Sequence, residues 1–431
     1  MRVYSMCSCK QRVDIIEAPE DFHDLREEWI DLWSRAEGHH HESFAVCWLS
    51  WQCVARRAGR SLRIITVRSE GRLIAVWPLV RWRNRFWTVL RRLSPESADY
   101  TTVLIDPAYS SPELVNLIWR AARERCSADI ITLPYLESKG ELFRLASMHH
   151  GVMKAKEHPY AVARLSMETD WHRYAESLGA LSGNKPGALR RRLERRGQLE
   201  LRILGPEDAQ ENARVIDWML DCKREWAKRT GKQGEWLFSE AYRDYLVKLA
   251  NHRDSDACAR LLLATLNGAP IAASMVGLGT RSITGLIAGF DPRQNRLAPG
   301  AVATEAWVRW ALECGLDLDF GVGNESFKQY WSRGHGGVVC SIDIAQTPWG
   351  RVAFAAHEYR EKAKSAVARL RGARAEIYPI RAGYKALSLV VGLVAKVLHD
   401  RMRELQNMGA RLQGQRVGAE RAAHVQKRTE I

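Results

Sequence analysis

"ARLLLATLNGAPIAASMVGL" occupies residues 259–278, with two apolar, β-prone runs on either side of Asn267-Gly268. Both central positions of the commonest two-residue hairpin turn need positive φ, which Asn and Gly tolerate best, so the segment is predicted as a β-hairpin. An earlier stretch, "LRIITVRSEGRLIAVWPLV" at residues 62–80, has the same shape with its turn at Gly71. Setting Gly71 against Gly268 also sets Ala75 against Ala272 and Ile64 against Leu261. An aromatic-bearing helical pattern precedes each hairpin, "SFAVCWLSWQCVARRAG" in one case and "SEAYRDYLVKLANH" in the other. After the second hairpin, "RSITGLIAGFD" (281–291) reads as a third strand and residues 300–314 as a helix closed by Gly315. "LDLDFGVG" (316–323) reads as the next strand. In the first half "SADYTTVLID" (97–106), "SPELVNLIWRAARERC" (111–126) and "ADIITLPYL" (128–136) repeat the strand–helix–strand order, with Ser111-Pro112 as a helix start. A unit repeated at about two hundred residues predicts two similar α/β domains in tandem.

The composition agrees with that size. At ~150 residues per domain, 431 residues make two or three domains. A hydrophobic fraction of 46% with 27% charged residues is ordinary for a globular chain. Sixteen tryptophans favour packed cores or aromatic-lined clefts over disorder. The net charge of +15 points to an anionic partner such as a nucleotide cofactor, a nucleic acid or an acidic membrane face. Residues 357–431 hold sixteen Lys and Arg against seven Asp and Glu, so nine of the fifteen excess charges sit in that tail and the body is only mildly basic.

Nine scattered cysteines include a C-x-C at Cys7 and Cys9 but no C-x-x-C, which argues for reduced thiols and against a zinc ribbon. His39-His40-His41 followed by Glu42 has ligand types for a metal, yet so polar a run is expected to be a solvated loop, and no metal is expected. The first twenty residues lack the apolar core of a signal peptide. The longest apolar run, residues 386–398, is too short to cross a bilayer of ~30 Å and contains Lys396. The expected location is the cytoplasm, with the basic tail as a candidate contact to the inner face of the membrane.

The segment "FDPRQNRLAPGAVATEAWVRWALECG" (290–315) carries the chemistry. A helix N-terminus exposes unpaired backbone N–H groups and partial positive charge, so it attracts phosphate. Pro299 fits the first helical position, Gly300 removes a side chain where a diphosphate would approach, and Arg296 adds a fixed charge. Pro-Gly before a helix is also compatible with a plain turn. Between the halves, "GNKPGALRRRLERRGQLELRIL" (183–204) places five arginines on a short predicted helix, either a phosphate- or RNA-binding patch or a solvated basic face.

These pieces, with "SFAVCWLSWQ", "GRLIAVWPLV" and "SADYTTVLID", resemble the GNAT acyltransferase superfamily over most of residues 15–352. More closely the chain resembles the tandem-GNAT proteins of the cellulose-biosynthesis CelD type, related in fold to the FemAB peptidyltransferases. The family turn is Arg/Gln-x-x-Gly-x-Gly/Ala, which "RLAPGA" meets with Arg296, Pro299, Gly300 and Ala301. The resemblance implies an α/β (α+β) fold of two GNAT-like domains, each a mixed, mostly antiparallel sheet flanked by helices, plus the basic helical tail. Its expected parts are an N-terminal extension (1–14), a first, cofactor-free domain (15–165), a basic connecting segment (166–205), an acyl-CoA-binding domain (206–352) and the tail (353–431). It implies acyl transfer from acetyl-CoA or another acyl-CoA to a sugar, a polysaccharide precursor or another small acceptor. The turn residues Arg296, Leu297, Ala298, Gly300 and Ala301 would then hold the coenzyme diphosphate. The backbone at Ala288 and Phe290 would polarise the thioester, and strand 316–320 would splay away to leave a slot for the pantetheine arm.

Asp319, Glu325 and Lys328 lie at the end of that strand and just beyond it, as candidate catalytic groups. A buried carboxylate with raised pKa can take a proton from an attacking nucleophile, and a lysine can bind an anion. A buried structural partner is the competing role for Asp319, and core packing is expected for Phe327 and Trp331. In the first half "IDPAYSSPE" replaces the phosphate turn, so that half is expected to shape the acceptor cleft through Trp77, Asp99 and Tyr100. Two rival readings are a FemAB-like transferase using aminoacyl-tRNA, the one case in which nucleic acid is expected, and a basic membrane-associated scaffold without chemistry. In the tail, Leu387, Val390, Val391, Val394, Val397 and Leu398 share one helical face flanked by Lys385, Lys396, Arg401 and Arg403. That pattern suits a helix packed on protein or lying on an anionic membrane.

Overall fold

Each half of the chain builds its sheet around a tight hairpin. The computed structural model describes residues 11–84, 86–95, 100–231, 235–253 and 258–357. Residues 1–356 make up one unit and residues 357–431 a second. Asp99 and the expected helix of the tail lie outside the described residues.

The first half runs through strands β1 (Arg12–Ile16), β2 (Ser61–Leu62), β3 (Ile64–Ser69), β4 (Arg72–Trp77), β5 (Leu79–Asn84), β6 (Trp87–Arg92), β7 (Leu104–Ile105), β8 (Ile130–Glu137) and β9 (Val152–Ala163). Its helices are α1 (Pro19–Asp24), α2 (Arg26–Arg35), α3 (Phe44–Leu49), α4 (Pro112–Arg125) and α5 (Glu141–Ser147). Next come α6 (Trp171–Ser177) and the arginine-rich α7 (Ala188–Glu194). The second half contributes β10 (Leu199–Leu204), α8 (Ala209–Thr230), α9 (Glu240–Ala250), β11 (Ala259–Leu266), β12 (Ala269–Leu278) and β13 (Ser282–Phe290). It closes with α10 (Pro299–Glu313), β14 (Asp317–Val322), α11 (Ser326–Ser332) and β15 (Gly336–Ala345).

Both hairpins turn as their sequences require. Asn267 and Gly268 have φ of 53° and 78°, and Glu70 and Gly71 have 51° and 83°, the paired positive values of a two-residue turn matched to strand twist. The repeat extends beyond the hairpins. Asp106 N–H donates to Ile74 O and Asp291 N–H to Ile271 O, each at 2.9 Å. Each of these aspartates precedes a proline and accepts the N–H two residues on, from Ala108 and Arg293, at 3.0 Å. The two halves thus end their third strands in the same Asp-Pro turn.

Strands β1, β3, β4 and β7 form one sheet, and eleven more form the order β10-β11-β12-β13-β14-β9-β15-β8-β6-β5-β2. Strand β15 from the end of the second half lies between β8 and β9 of the first, antiparallel to both. β9 in turn pairs with β14. The long sheet is therefore continuous across the two halves, and a continuous row of backbone hydrogen bonds leaves little freedom between them. Packing adds to this. Val46, Leu49 and Cys53 of the first half share a buried cluster with Leu220, Tyr245, Leu261 and Met275 of the second. Gly289 on β13 sits against α8 so closely that a Cβ there would lie 2.5 Å from Met219 O, which explains a residue without a side chain.

One expectation fails. The run His39 to Glu42 is not a solvated loop: His40 is 1%, His41 8% and Glu42 5% exposed. The cause is long-range. The indole N–H groups of Trp29 and Trp33 donate to Glu42 O at 2.8 Å and His39 O at 2.9 Å, clamping the turn from α2. Its other side packs on the second half, where a Cβ on Gly277 would collide with the His40 ring.

Candidate active site

Strands β13 and β14 are parallel and pair at Ser282↔Asp317, Ile283↔Leu318 and Thr284↔Asp319, and nowhere further along. Beyond Thr284 they splay. On its other edge β13 stays paired to β12 up to Phe290, with one irregularity between Met275 and Val276 where Leu286 is passed over. Asp291 N–H donates across to β12. Backbone directions alternate along an antiparallel pair, so Phe290 and Ala288 turn their N–H and C=O groups the other way, toward the splay. Amide donors fixed in an otherwise apolar slot are what polarises a carbonyl placed there.

A cavity of about 380 Å³ fills the splay. Ala288, Phe290 and Gly300 line it together with Thr304, Trp307 and Phe320. Trp307 is fixed by its indole N–H, which donates to Ser274 Oγ at 2.8 Å. Phe327, expected in the core, also lines this slot, whereas Trp331 is buried at 6% exposure in the core as expected.

The slot ends at the N-terminus of α10. Pro299 is its first residue, as the sequence indicated, and Ala298 before it is left-handed at φ 51° with no side-chain cap. In the first half, α4 starts differently: Ser111 Oγ accepts Leu114 N–H at 3.2 Å. A side chain thus caps α4, whereas at α10 the Ala301 and Val302 N–H groups bond to Ala298 O and no side chain caps the turn. A Cβ at Gly300 would meet only the Phe290 ring, at 3.5 Å, so the protein itself leaves this position open. Arg296 is exposed on the 3₁₀ turn Pro292–Leu297, with no ion pair among the described residues. Leu297 packs toward the core, and Ala301 is exposed with its N–H 3.0 Å from Ala298 O. Arg293 is committed to Asp291 at 3.0 Å.

A second cavity of about 290 Å³ lies at the opposite face of β14. Alternation along the strand explains the division: Leu318 and Phe320 face the first cavity, Asp317 and Asp319 the second. Its walls include His39, Tyr100, Tyr135, Tyr160 and Glu137. The Asp319 carboxylate is 6% exposed, and its Oδ1 accepts both Tyr100 O–H at 3.0 Å and Gly321 N–H at 2.7 Å. Burial pushes the Asp319 pKa up; the two hydrogen bonds and the fields of His39 and Lys328 pull part of it back. Tyr100 and Asp319, 219 residues apart, are thus brought together from the two halves.

The remaining candidates lie apart from both cavities. Lys328 Nζ donates to Val322 O at 2.7 Å and pairs with Glu325 at 3.1 Å, tying α11 to the end of β14. Trp77 is 1% exposed in the core of the first half. The residue that the sequence reading missed is His39, hidden in a run whose polarity suggested solvent. Among the described residues, no group of three or more His, Cys, Asp or Glu could hold a metal. No helix among them is long and apolar enough to cross a membrane.

Comparison with known proteins agrees with this geometry. Residues 187–329 match the family model described as acetyltransferase (GNAT) domain. No curated protein matches the chain by sequence. Among solved structures, FemX superimposes with a TM-score of 0.53 at 12% identity, covering 80% of this chain and 100% of its own. A tandem GNAT protein from the clavulanic acid biosynthesis pathway gives 0.45 at 14% identity, covering 79% of this chain and 99% of its own. L-PGS from Bacillus licheniformis gives 0.44 at 13%, covering 79% and 95%. FemX shares the fold; the family match lies over the splayed strands, the open helix start and Asp319. Residues 187–329 are accordingly similar to a GNAT acetyltransferase domain, and this match supports an acyltransferase.

Proposed function

We propose that the protein transfers an acyl group, acetyl in the simplest case, from acyl-CoA to the amine of a small acceptor such as an amino sugar. The observation that carries this reading is the splay of β13 from β14, which joins an apolar slot to an uncapped helix start on one side and a carboxylate pocket on the other. Acyl-CoA fits the residues present: the slot suits a pantetheine arm, the Gly300 N–H at the start of α10 with Arg296 suits a diphosphate, and the Ala288 and Phe290 N–H groups would polarise a thioester held in the slot. When bound, the thioester supplies an electrophilic carbonyl. Most of the rate then comes from holding it beside the acceptor and stabilising charge on its oxygen.

In the acceptor pocket Arg164 lies 3.6 Å from Asp317, and Arg281 pairs with Glu37. Asp319 and Glu137 are left without an arginine partner among the described residues, so the pocket favours a cation. Three tyrosines offer faces on which a sugar ring or a cation can stack. Asp319 then anchors the acceptor nitrogen and takes the proton it sheds as the new bond forms. Replacing Arg296 by Ala should weaken acetyl-CoA binding by the ~1.5–3 kcal/mol typical of a hydrogen bond to a charged group. Calorimetric titration checks this, and unchanged affinity would remove Arg296 from the donor site.

A second reading, transfer from aminoacyl-tRNA, has one observation in its favour. Arg191, Arg192, Arg195 and Arg196, on α7 and just after it, are exposed without ion pairs among the described residues, and α7 packs against the 3₁₀ turn that carries Arg296. Aminoacyl-tRNA that bound with a steep salt dependence and displaced acetyl-CoA would favour it.

A further inference from the structure

The turn from Glu37 to Glu42 is built to present one imidazole. His39 has its C=O bonded by Trp33 Nε1–H at 2.9 Å and its N–H held by Glu42 Oε2 at 2.7 Å, so its backbone is fixed on both sides. The turn is anchored to the second half: Thr280 N–H donates to Gly38 O at 3.1 Å, and Arg281 pairs with Glu37. Beneath His39 lies His41, its ring parallel to that of His39 at 5.7 Å and edge-on to Tyr100 at 6.2 Å. His41 is buried and bonded through Nε2 to Thr102 Oγ1 at 2.9 Å. Burial pushes its pKa down to about 3, so it is a neutral platform. His39 is exposed and lines the acceptor pocket with Tyr100 and Asp319. The first half thus places a solvent-accessible proton acceptor in the wall of a pocket whose carboxylate belongs to the second.

We propose that His39 is a catalytic residue of the acceptor pocket, taking from the acceptor's ammonium the proton that must leave before the nitrogen can attack. The inference rests on the acyl-CoA-to-amine reading above. An ammonium acceptor holds three protons on nitrogen and has no lone pair. The first proton passes to the His39 imidazole and on to solvent at the exposed pocket wall. The freed lone pair forms the N–C bond to the thioester carbonyl carbon, and the C–S bond breaks with its electron pair going to sulfur. The second proton leaves nitrogen through Asp319 and ends on that sulfur as the thiol; the third stays on the amide. One positive charge enters as ammonium and one leaves as the proton that His39 passes to solvent, so atoms and charge balance. His39 at the exposed wall can hand this proton to solvent and so leaves buried Asp319 free for the second.

The test uses the full chain with acetyl-CoA and two probe acceptors, following release of coenzyme A thiol. Glucosamine is mostly an ammonium just below neutral pH, where the assay is run, whereas hydroxylamine is there mostly a neutral base and needs no first deprotonation. His39→Ala should lower kcat with glucosamine by about 100-fold, within the ~10²–10⁴ range of acid–base residues. Turnover with hydroxylamine should stay within about threefold of native, and added imidazole should restore part of the glucosamine rate. Because the backbone of His39 holds the clamp, the substitution leaves the turn's hydrogen bonds in place. Equal losses with both acceptors and no rescue by imidazole, or no loss with either, would overturn the assignment. If the native protein turned over hydroxylamine but not glucosamine, an ammonium acceptor and the role of His39 would fall while the donor reading stood. If it turned over neither and bound no acetyl-CoA, the proposed function would fail and this inference with it.

Discussion

Asp319→Asn is expected to lower turnover by ~10²–10⁴-fold, the range for loss of a positioned general base, while acetyl-CoA affinity stays near native. The variant is informative because both hydrogen bonds to the carboxylate, from Tyr100 O–H and Gly321 N–H, end on Oδ1. Asparagine keeps that oxygen, so the local structure persists and only charge and basicity go. The same variant makes an opposite prediction for stability. Burial raises the Asp319 pKa, so the folded protein binds this proton more tightly than the unfolded chain does. The stability so gained is fully present below the unfolded carboxyl pKa and is lost as pH rises through the raised folded value. At neutral pH, above the unfolded carboxyl pKa, the native protein therefore bears a burial cost for this acid that asparagine lacks. Asp319→Asn should melt higher there, with the difference shrinking as the pH is lowered. Near-native turnover, or a lower melting temperature at neutral pH, would make Asp319 a structural partner instead.

Thr304→Trp is expected to weaken acetyl-CoA binding by at least ~100-fold, about 3 kcal/mol. Thr304 is half-buried on α10 and lines the 380 Å³ slot beside Gly300 and Ala303. These small residues of α10 line the slot with Trp307 of the same helix and with Phe320 and Phe327, so an indole at position 304 takes up the space left for the donor. Tryptophan is tolerated in helices, and the side chain is not in the closed core, so the fold should hold. Circular dichroism melting and titration with acetyl-CoA separate the two effects. Retained affinity would mean that the donor does not enter between β13 and β14.

Much of the fold was legible because it rests on local rules. Paired positive-φ turns, Pro299 at a helix start and Gly315 at φ 67° after its end are written in adjacent residues. The repeat could be read from Gly71 and Gly268 for the same reason. The strand neighbours were not legible. A β-prone run indicates a strand but not its partners, and the seat of β15 between β8 and β9 follows from contacts some two hundred residues apart. In the site, the sequence singled out both Tyr100 and Asp319, but nothing in it joins them. It also placed Lys328 near the acceptor, whereas its ammonium is bonded to Val322 O and Glu325. His39 escaped because polarity was read as exposure for the whole run. Two tryptophan N–H groups on α2 and a glycine on β12 bury the residues that follow it and leave His39 at the pocket wall.

The donor slot is the centre of this account, and calorimetric titration of the full chain with acetyl-CoA tests it directly. Saturable one-to-one binding is expected, displaced by free coenzyme A and weakened at least ~100-fold in Thr304→Trp. No binding at millimolar acetyl-CoA, or binding that Thr304→Trp leaves intact, would contradict it.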